Sequence, residues 1–397
     1  MSRTEANQSR RRFIQQAAAL SGVTSSVGVA GLSGLTTVPA VASGPPPSES
    51  LPVRFSGDGL SLSPAETIAA LETILDERGI EADYYSRGGV VEELEREMAA
   101  ALGKERAIYL PTGTLANHLA LRALVGERTR AIVPHESHIY NDSGDCVQQL
   151  SQLNLVPLAS ESATFTLSQV REIVERTQGG RVTTGVGAIF IESPVRRRFG
   201  EMFDYAEMEA ICAYARERGI GTHLDGARLY MASAYSGISP REYASHFDTV
   251  YVSLWKYFNS GSGAILAGSE AIIDQMFHTR RMFGSGLPAA WPFAALALHF
   301  FRDFESEFQR AVQAAEAFIA GLGKHEAFHI ERIPNGSNLF RLRVSGTDLG
   351  AFRERLKAKN VLLSRPREEP PGFLLNVNPT LNRTDAESLI DLFVSSV

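Results

Sequence analysis

Two residues that can do chemistry lie at the ends of short apolar runs in this sequence. Lys256 follows the run Thr249–Leu254, and Asp225 follows a second run that begins at Gly221. Runs of this length predict buried strands, and open α/β sheets bind their ligands at the carboxyl ends of such strands. A lysine there loses solvation, so its pKa falls and its neutral amine can attack a carbonyl group. Taken alone, however, Lys256 is also typical of a solvated loop, and Asp225 of an Asp-Gly turn.

One cofactor uses a lysine and an acid of this kind together. Pyridoxal phosphate (PLP) forms a Schiff base with a lysine, and a carboxylate paired with its pyridine nitrogen keeps the ring electron-withdrawing. Asp225 precedes Lys256 with one predicted helix between them, which is the spacing this interpretation requires. We therefore expect PLP on Lys256, with Asp225 at the pyridine nitrogen.

Two further motifs fit the same site. Thr112-Gly113-Thr114 lies between a predicted strand and a helix start, where hydroxyl and backbone N–H groups can bind the cofactor phosphate. The same motif is also compatible with a threonine whose only role is to cap the helix. His138 has a flat ring that could stack on the cofactor, although an isolated histidine is more often structural.

These residues resemble motifs of the threonine aldolase and β-eliminating lyase family of fold-type I PLP enzymes. The run His223–Arg228 is similar to the family's His-x-Asp-Gly-Ala-Arg motif, and Lys256 falls at its Schiff-base lysine. The resemblance implies that Thr112-Gly113-Thr114 binds phosphate and that His138 stacks on the ring. It also implies that Arg228 lies near the active site.

The resemblance implies an aspartate-aminotransferase-like α/β fold, with a mainly parallel central sheet and a smaller C-terminal α+β domain. Short apolar runs that alternate with helical patterns agree with such a fold. The segment Arg281–Gly286 resembles the family's glycine-rich segment, which implies a homodimer or homotetramer. The predicted segments are a signal peptide (1–42), a linker (43–60), a PLP-binding domain (61–288) and a small domain (289–397).

Several positions depart from the family pattern. Arg54–Asp58 is only partly similar to the segment whose serine helps to hold the substrate carboxylate, and Glu192–Val195 replaces a Glu-Asn-Thr-His segment. Leu375 stands where an arginine normally grips that carboxylate. Arg87 resembles an element that related enzymes lend to a neighbouring subunit, where it would serve the cofactor or the substrate. Recognition of the substrate carboxylate is therefore left open.

The resemblance favours a lyase that cleaves a β-hydroxy-α-amino acid to glycine and an aldehyde. His138 or a held water would remove the hydroxyl proton. The alternatives with the same cofactor are β-elimination, transamination and racemisation, because the substrate pocket decides which bond breaks. Ser253–Lys256 also matches the Ser-x-x-Lys motif of penicillin-binding proteins, but the accompanying Lys-Thr-Gly and Ser-Asp-Asn elements are missing from the sequence. A binding protein without activity would not need Lys256, Asp225 and His138 together.

Composition excludes several other classes. The 397 residues carry a net charge of −6 without long blocks of one sign, which argues against nucleic-acid binding and favours a small substrate. The two cysteines, Cys146 and Cys212, lie in no metal-binding spacing, and Cys212 is predicted to be a buried thiol. His135, Glu136 and His138 lack a further ligand at a suitable spacing, so no metal is expected.

The first residues predict an exported protein. Ser9-Arg10-Arg11-Arg12-Phe13 opens a weakly apolar stretch that ends in Ala40-Val41-Ala42, where small residues suit a signal peptidase. This pattern is typical of a twin-arginine signal, which carries folded proteins out of the cytoplasm. A periplasmic or extracellular enzyme without a stable membrane span after processing is the expected result.

Overall fold

A computed structural model of the protein describes residues 51–179, 181–182 and 184–397. The predicted signal peptide and the first part of the predicted linker lie outside these ranges. The strands are β1 (Val53–Arg54), β2 (Arg106–Leu110), β3 (Arg130–Pro134), β4 (Asn154–Leu158), β5 (Val186–Glu192), β6 (Gly221–Asp225), β7 (Thr249–Ser253), β8 (Ala264–Gly268), β9 (Phe328–Arg332), β10 (Leu339–Val344), β11 (Val361–Leu362) and β12 (Phe373–Asn376).

Helices connect most of these strands. They are α1 (Pro64–Arg78), α2 (Gly89–Leu102), α3 (Gly113–Leu124), α4 (His138–Asn141), α5 (Cys146–Ser151), α6 (Leu167–Gln178), α7 (Tyr205–Glu217), α8 (Leu229–Ser236), α9 (Pro240–Ser245), α10 (Leu254–Tyr257), α11 (Glu270–Ile273), α12 (Met276–Met282), α13 (Trp291–Leu322), α14 (Leu349–Ala358) and α15 (Ala386–Val394). Cys212 is a buried free thiol on α7, as predicted.

The central sheet has seven strands in the order β2-β8-β7-β6-β5-β3-β4. Only β8 runs against its neighbours, so the predicted mainly parallel sheet is confirmed. Every residue of β5 and of β7 is buried, as expected for strands covered on both faces. Because the other six strands run in the same direction, their carboxyl ends meet at one edge, and the predicted site residues follow those ends.

The smaller C-terminal domain is built on the antiparallel sheet β12-β10-β9 and the long helix α13. Its core includes a group of aromatic rings. Phe318 lies 4.9 Å from Phe393 between ring centroids, and Phe55 lies 5.4 Å from Phe318. Phe55 therefore contributes to the core of a domain that is more than two hundred residues distant in sequence.

The predicted linker 43–60 is not a linker over its last residues. Val53–Arg54 form strand β1, which pairs in parallel with β11, and Phe55 is fully buried. The sequence contains the necessary signal, since Val53 and Phe55 are apolar at alternate positions. That alternation covers too few residues to predict a strand, because the proline-rich stretch that precedes it indicates a linker. Within the described residues, regular structure thus begins at Val53 rather than near residue 61.

In the described part of the chain, no helix combines the length and the apolar character needed to cross a membrane.

Candidate active site

Lys256 lies where the sequence predicted, directly after β7. It belongs to the short helix α10, whose start turns the chain away from the sheet edge. The side chain is half-buried. Burial and then the neighbouring charge of Arg228 lower the pKa of Lys256 to about 8, although Asp225 acts in the opposite direction. The neutral amine is therefore a minor form near neutral pH, but a far larger fraction than in a lysine with an ordinary pKa, as a nucleophilic lysine requires.

Asp225 is the last residue of β6 and is buried. Its Oδ2 accepts a 2.6 Å hydrogen bond from Nδ2 of Asn117, and its Oδ1 accepts a 3.1 Å bond from the backbone N–H of Ala227. Two N–H donors stabilise a negative charge on this carboxylate. Asp225 is thus held as an acceptor, which suits a partner that carries a positive charge.

Arg228 lies three residues after Asp225 and forms an ion pair with Asp58. The Nε and Nη2 atoms of Arg228 each lie 2.8 Å from Oδ2 of Asp58, whose side chain is buried. Burial works against the charge on Arg228, but Asp58 outweighs it and the pKa of the guanidinium rises. Asn338 of the C-terminal domain also donates to Asp58, at 3.4 Å. This pair therefore connects the active-site edge to the smaller domain.

His138 begins helix α4, next to the buried carboxylate of Glu192 at the end of β5. Glu192 accepts the backbone N–H of His138 on Oε2 at 2.6 Å and that of Arg196 on Oε1 at 3.0 Å. Burial, and then the nearby Asp225, raise the pKa of Glu192 to about 7. Burial also lowers the pKa of His138. The imidazole is therefore neutral at neutral pH and able to accept a proton.

The predicted phosphate-binding turn lies at the start of helix α3. Thr112 caps the helix, with its Oγ1 accepting the backbone N–H of Leu115. The next N–H groups, those of Gly113 and Thr114, belong to the first turn, which has no intrahelical partners. A Cβ atom at Gly113 would overlap the hydroxyl of Tyr251 on β7, so only glycine lets the turn lie this close to the sheet. The turn is thereby placed at the edge of the sheet next to β7.

One buried hydroxyl provides a test of whether this site fits a phosphorylated cofactor. The Oγ atom of Ser253, the last residue of β7, is buried and makes no hydrogen bond of good geometry within the described residues, although the hydroxyl of Tyr251 lies close enough to interact with it. A buried polar group without a partner costs free energy, so such an atom calls for an explanation. The nearby glycine turn, the nucleophilic Lys256 and this hydroxyl together fit PLP. Because Ser253 Oγ makes no hydrogen bond to Lys256, Lys256 does not activate it, which also argues against the Ser-x-x-Lys hydrolase.

Two residues with uncertain roles are not brought into this cluster. Arg87 is exposed, and its guanidinium lies 4.7 Å from the ring centroid of Phe277 on α12. No contact of Arg87 with Asp225, Arg228 or Lys256 is present. Leu375 is fully buried in β12, with Phe340 of β10 as its partner in the sheet. Leu375 is therefore part of the small-domain core and offers nothing to a carboxylate.

Three residues that contact the predicted site residues are not predicted from the sequence as site residues: Asp58, Asn117 and Glu192. Asp58 belongs to the segment that is only partly similar to the family pattern. Asn117 lies on the same helix as the phosphate turn, one turn beyond it, and a buried asparagine there was the available signal. Glu192 ends a fully buried strand, and an acid in that position was the corresponding signal.

The fold and this cluster define a fold-type I enzyme of the PLP-dependent class. Residues 71–341 match the model of the β-eliminating lyase family, and the chain belongs to that family. Low-specificity L-threonine aldolase from Candida albicans is 30% identical over 52% of this chain and 55% of its own length. The Escherichia coli K12 enzyme of the same name is 25% identical over 71% of this chain and 83% of its own length.

Other matches extend these similarities. A Listeria monocytogenes structure assigned as an L-allo-threonine aldolase has a TM-score of 0.71 and 25% identity, over 88% of this chain and 97% of that one. An alanine racemase from Cochliobolus carbonum is 29% identical over 55% of this chain and 54% of its own length. The alignments with the Candida albicans and Saccharomyces cerevisiae aldolases cover 55% and 53% of those proteins, little more than half of each.

Proposed function

We propose that this protein is a PLP-dependent aldehyde-lyase that cleaves a β-hydroxy-α-amino acid to glycine and an aldehyde. The observation that carries the proposal is Lys256, which lies at the end of β7 with its pKa lowered to about 8 and with Asp225 and Arg228 close enough to shift it. The similarity to threonine aldolases of both fungal and bacterial origin supports this choice of reaction.

The proposed roles follow from the contacts of each side chain. Lys256 binds the cofactor covalently, and the carboxylate of Asp225 accepts a hydrogen bond from the protonated pyridine nitrogen, which keeps the ring electron-withdrawing. When bound, PLP supplies an electron sink that stabilises the electrons released from the broken Cα–Cβ bond. The N-terminus of α3 and the hydroxyl of Ser253 bind the phosphate.

His138 is the proposed base for the substrate hydroxyl. Its pKa is lowered by burial, so the ring is neutral and free to take the proton as the Cα–Cβ bond breaks. Its Nδ1 lies 3.2 Å from Oγ of Ser143, which leaves Nε2 for the substrate or for a held water. The buried carboxylate of Glu192 keeps the backbone of His138 in place.

Racemisation is a second candidate, because the alanine racemase from Cochliobolus carbonum is among the similar proteins. A racemase would use the same Lys256 and Asp225 but would remove the α-hydrogen instead of breaking the Cα–Cβ bond. The two functions differ in their products, so one assay distinguishes them.

The decisive experiment is a product assay with the purified full-length protein and PLP. L-Threonine, L-allo-threonine, β-phenylserine and L-alanine are supplied, and glycine, aldehyde and D-alanine are measured. Aldehyde and glycine in equal amounts, lost in Lys256→Ala but kept in the exposed-lysine control Lys324→Ala, are the expected result. D-Alanine without aldehyde would replace the lyase by a racemase. Equal activity in Lys256→Ala would contradict both.

We also propose that the enzyme is exported by the twin-arginine route and works as a homodimer or homotetramer. The arginine motif near residue 10 and the small residues before residue 43 support export. The similarity of Arg281–Gly286 to the family's glycine-rich segment supports self-association. Light scattering on the purified protein tests the second part, and a monomer would contradict it.

A further inference from the structure

A chain of hydrogen-bonded, buried side chains ends at the carboxylate of Asp225. Its members are Thr249 on β7, His223 on β6 and Asn117 on α3. Each is at most 1% exposed. Thr249 Oγ1 lies 2.8 Å from His223 Nδ1, His223 Nε2 lies 2.9 Å from Asn117 Oδ1, and Asn117 Nδ2 lies 2.6 Å from Asp225 Oδ2. We call this set the Asp225 relay.

The direction of every hydrogen bond in the relay follows from the chemistry of its ends. A carboxylate can only accept, so Asn117 must present its amide N–H to Asp225 and its carbonyl oxygen to His223. His223 therefore carries its proton on Nε2. Burial lowers the pKa of His223 to about 3, so the ring has no second proton, and the hydroxyl of Thr249 donates to Nδ1. The imidazole is thus fixed in one tautomer.

We propose that Asn117 and His223 are positioning residues that orient Asp225 toward the pyridine nitrogen of the cofactor. The inference rests on the proposed function, because it assigns the partner of Asp225 to bound PLP. Asn117 is not free to turn, since both ends of its amide are bonded, and its donor therefore fixes the direction of Oδ2. Ala227 fixes Oδ1 from the other side.

The relay also connects two parts of the cofactor site. Asn117 lies one helical turn after Gly113, so the helix whose N-terminus faces the phosphate also holds the carboxylate that faces the ring nitrogen. Phe190 of β5 packs beside the imidazole, with 5.3 Å between ring centroids, and the imidazole is fully buried. The distance between the phosphate site and Asp225 is therefore set within one helix and one buried hydrogen bond.

Asn117→Ala is the direct test, with His118→Ala as its matched control. His118 is the next residue on the same helix and is equally buried, but its Nε2 contacts Ser151 at 2.6 Å and not the relay. Both variants should melt at a lower temperature. Only Asn117→Ala should bind PLP more weakly, by about tenfold or more, because it removes a hydrogen bond to a charged group. It should also lower kcat and shift the pH at which the absorbance of bound PLP changes.

The effect of the remaining variants on PLP binding should decrease with their distance from Asp225 along the relay. His223→Leu should affect PLP binding less than Asn117→Ala, and Thr249→Val least of all, since each lies one bond further from Asp225. Equal PLP affinity in Asn117→Ala and His118→Ala would overturn the inference. Failure of the unaltered protein to bind PLP would instead overturn the proposed function, and with it the cofactor role of Asn117.

A second measurement reports on the imidazole directly. Nitrogen-15 NMR of histidine-labelled protein should show that His118 and His223 both stay neutral from mildly acidic to alkaline pH, because burial lowers their pKa values to about 4 and about 3. The neutral signal that remains in His118→Ala belongs to His223 and should carry its proton on Nε2. Its Nε2–H signal should move when PLP is added. A proton on Nδ1 of His223, or a signal that ignores the cofactor, would overturn the relay.

Discussion

Arg228 and Asp58 form a buried ion pair in which Nε of the arginine lies 2.8 Å from Oδ2 of the aspartate. The two residues come from opposite sides of the site, one after β6 and the other after β1. Their charges act on Lys256 in opposite directions, because Arg228 lowers the pKa of the amine and Asp58 raises it. Removing one charge or the other should therefore shift the pKa of Lys256 in opposite directions, which tests the electrostatics of the active site.

Arg228→Met should raise the pKa of Lys256 above about 8, because a positive neighbour that disfavours the ammonium form is removed. The rate at which the apo protein captures PLP depends on the neutral amine, so its rise with pH should move to higher pH. Asp58→Asn should move the same profile to lower pH. Stopped-flow absorbance across neutral to alkaline pH measures both. Shifts of the same sign would show general misfolding instead of an effect of charge.

Ser253→Ala should leave the apo protein at least as stable as the unaltered protein and should weaken the binding of PLP. The buried hydroxyl makes no hydrogen bond of good geometry within the described residues, so little stability is lost when it is removed. A phosphate that accepts from this hydroxyl would be bound about tenfold less tightly without it. Ser260→Ala is the control, because that hydroxyl donates to the carbonyl of Phe293 at 3.0 Å and its loss should only destabilise. Unchanged PLP affinity in Ser253→Ala would contradict a phosphate contact.

Glu192→Gln should remove part of the pH dependence of stability. Because the folded protein raises the pKa of Glu192 from 4.5 to about 7, the proton favours the folded state. This contribution is complete below the unfolded pKa and disappears as pH rises through about 7. The melting temperature of the unaltered apo protein should therefore fall more than that of Glu192→Gln between mildly acidic and mildly alkaline pH. Glu201→Gln is the control at a more accessible site, and equal slopes for Glu192→Gln and the unaltered protein would count against the assignment.

The substitution Glu192→Gln should also disturb the position of His138. A glutamine has one acceptor oxygen, so either His138 or Arg196 loses the acceptor for its backbone N–H. We expect kcat to fall while PLP affinity stays close to that of the unaltered enzyme, since the phosphate and ring-nitrogen contacts are intact. Steady-state kinetics of aldehyde release measures the first quantity, and a PLP titration measures the second.

Replacing Arg10 and Arg11 by lysine should keep the protein in the cytoplasm, because twin-arginine export depends on the arginine pair. Fractionation of cells that express the protein from its own signal measures the outcome, with Arg3→Lys as the control outside the pair. Export of the double variant at the level of the control would show that another signal is used.

The sequence was sufficient to find the residues at strand ends but not their partners. Lys256 and Asp225 could be located because short apolar runs predict strands and because their motifs resemble those of a known family. The contact of Asn117 with Asp225 spans 108 positions and that of Arg228 with Asp58 spans 170, so both depend on how distant elements pack. No local pattern encodes that packing.

The same limitation explains the errors at the edges of the fold. The alternating residues around Val53 gave too short a pattern to be read as a strand, and its partner β11 has only two residues. Leu375 departs from the family pattern, and its neighbours in the sheet show that it occupies a core position. The departure therefore says nothing about the substrate.

The pairing of β1 with β11 affects the order in which the contacts of the active site can form as the chain is synthesised. Val53 pairs with Val361, which is made more than three hundred residues later. Asn338, which donates to Asp58, lies 280 residues after it. Asp58 and the strand before it therefore gain these partners only after Arg228, Asp225 and Lys256 have all been synthesised. The ion pair that borders Lys256 is thus among the later parts of the site to reach its final arrangement.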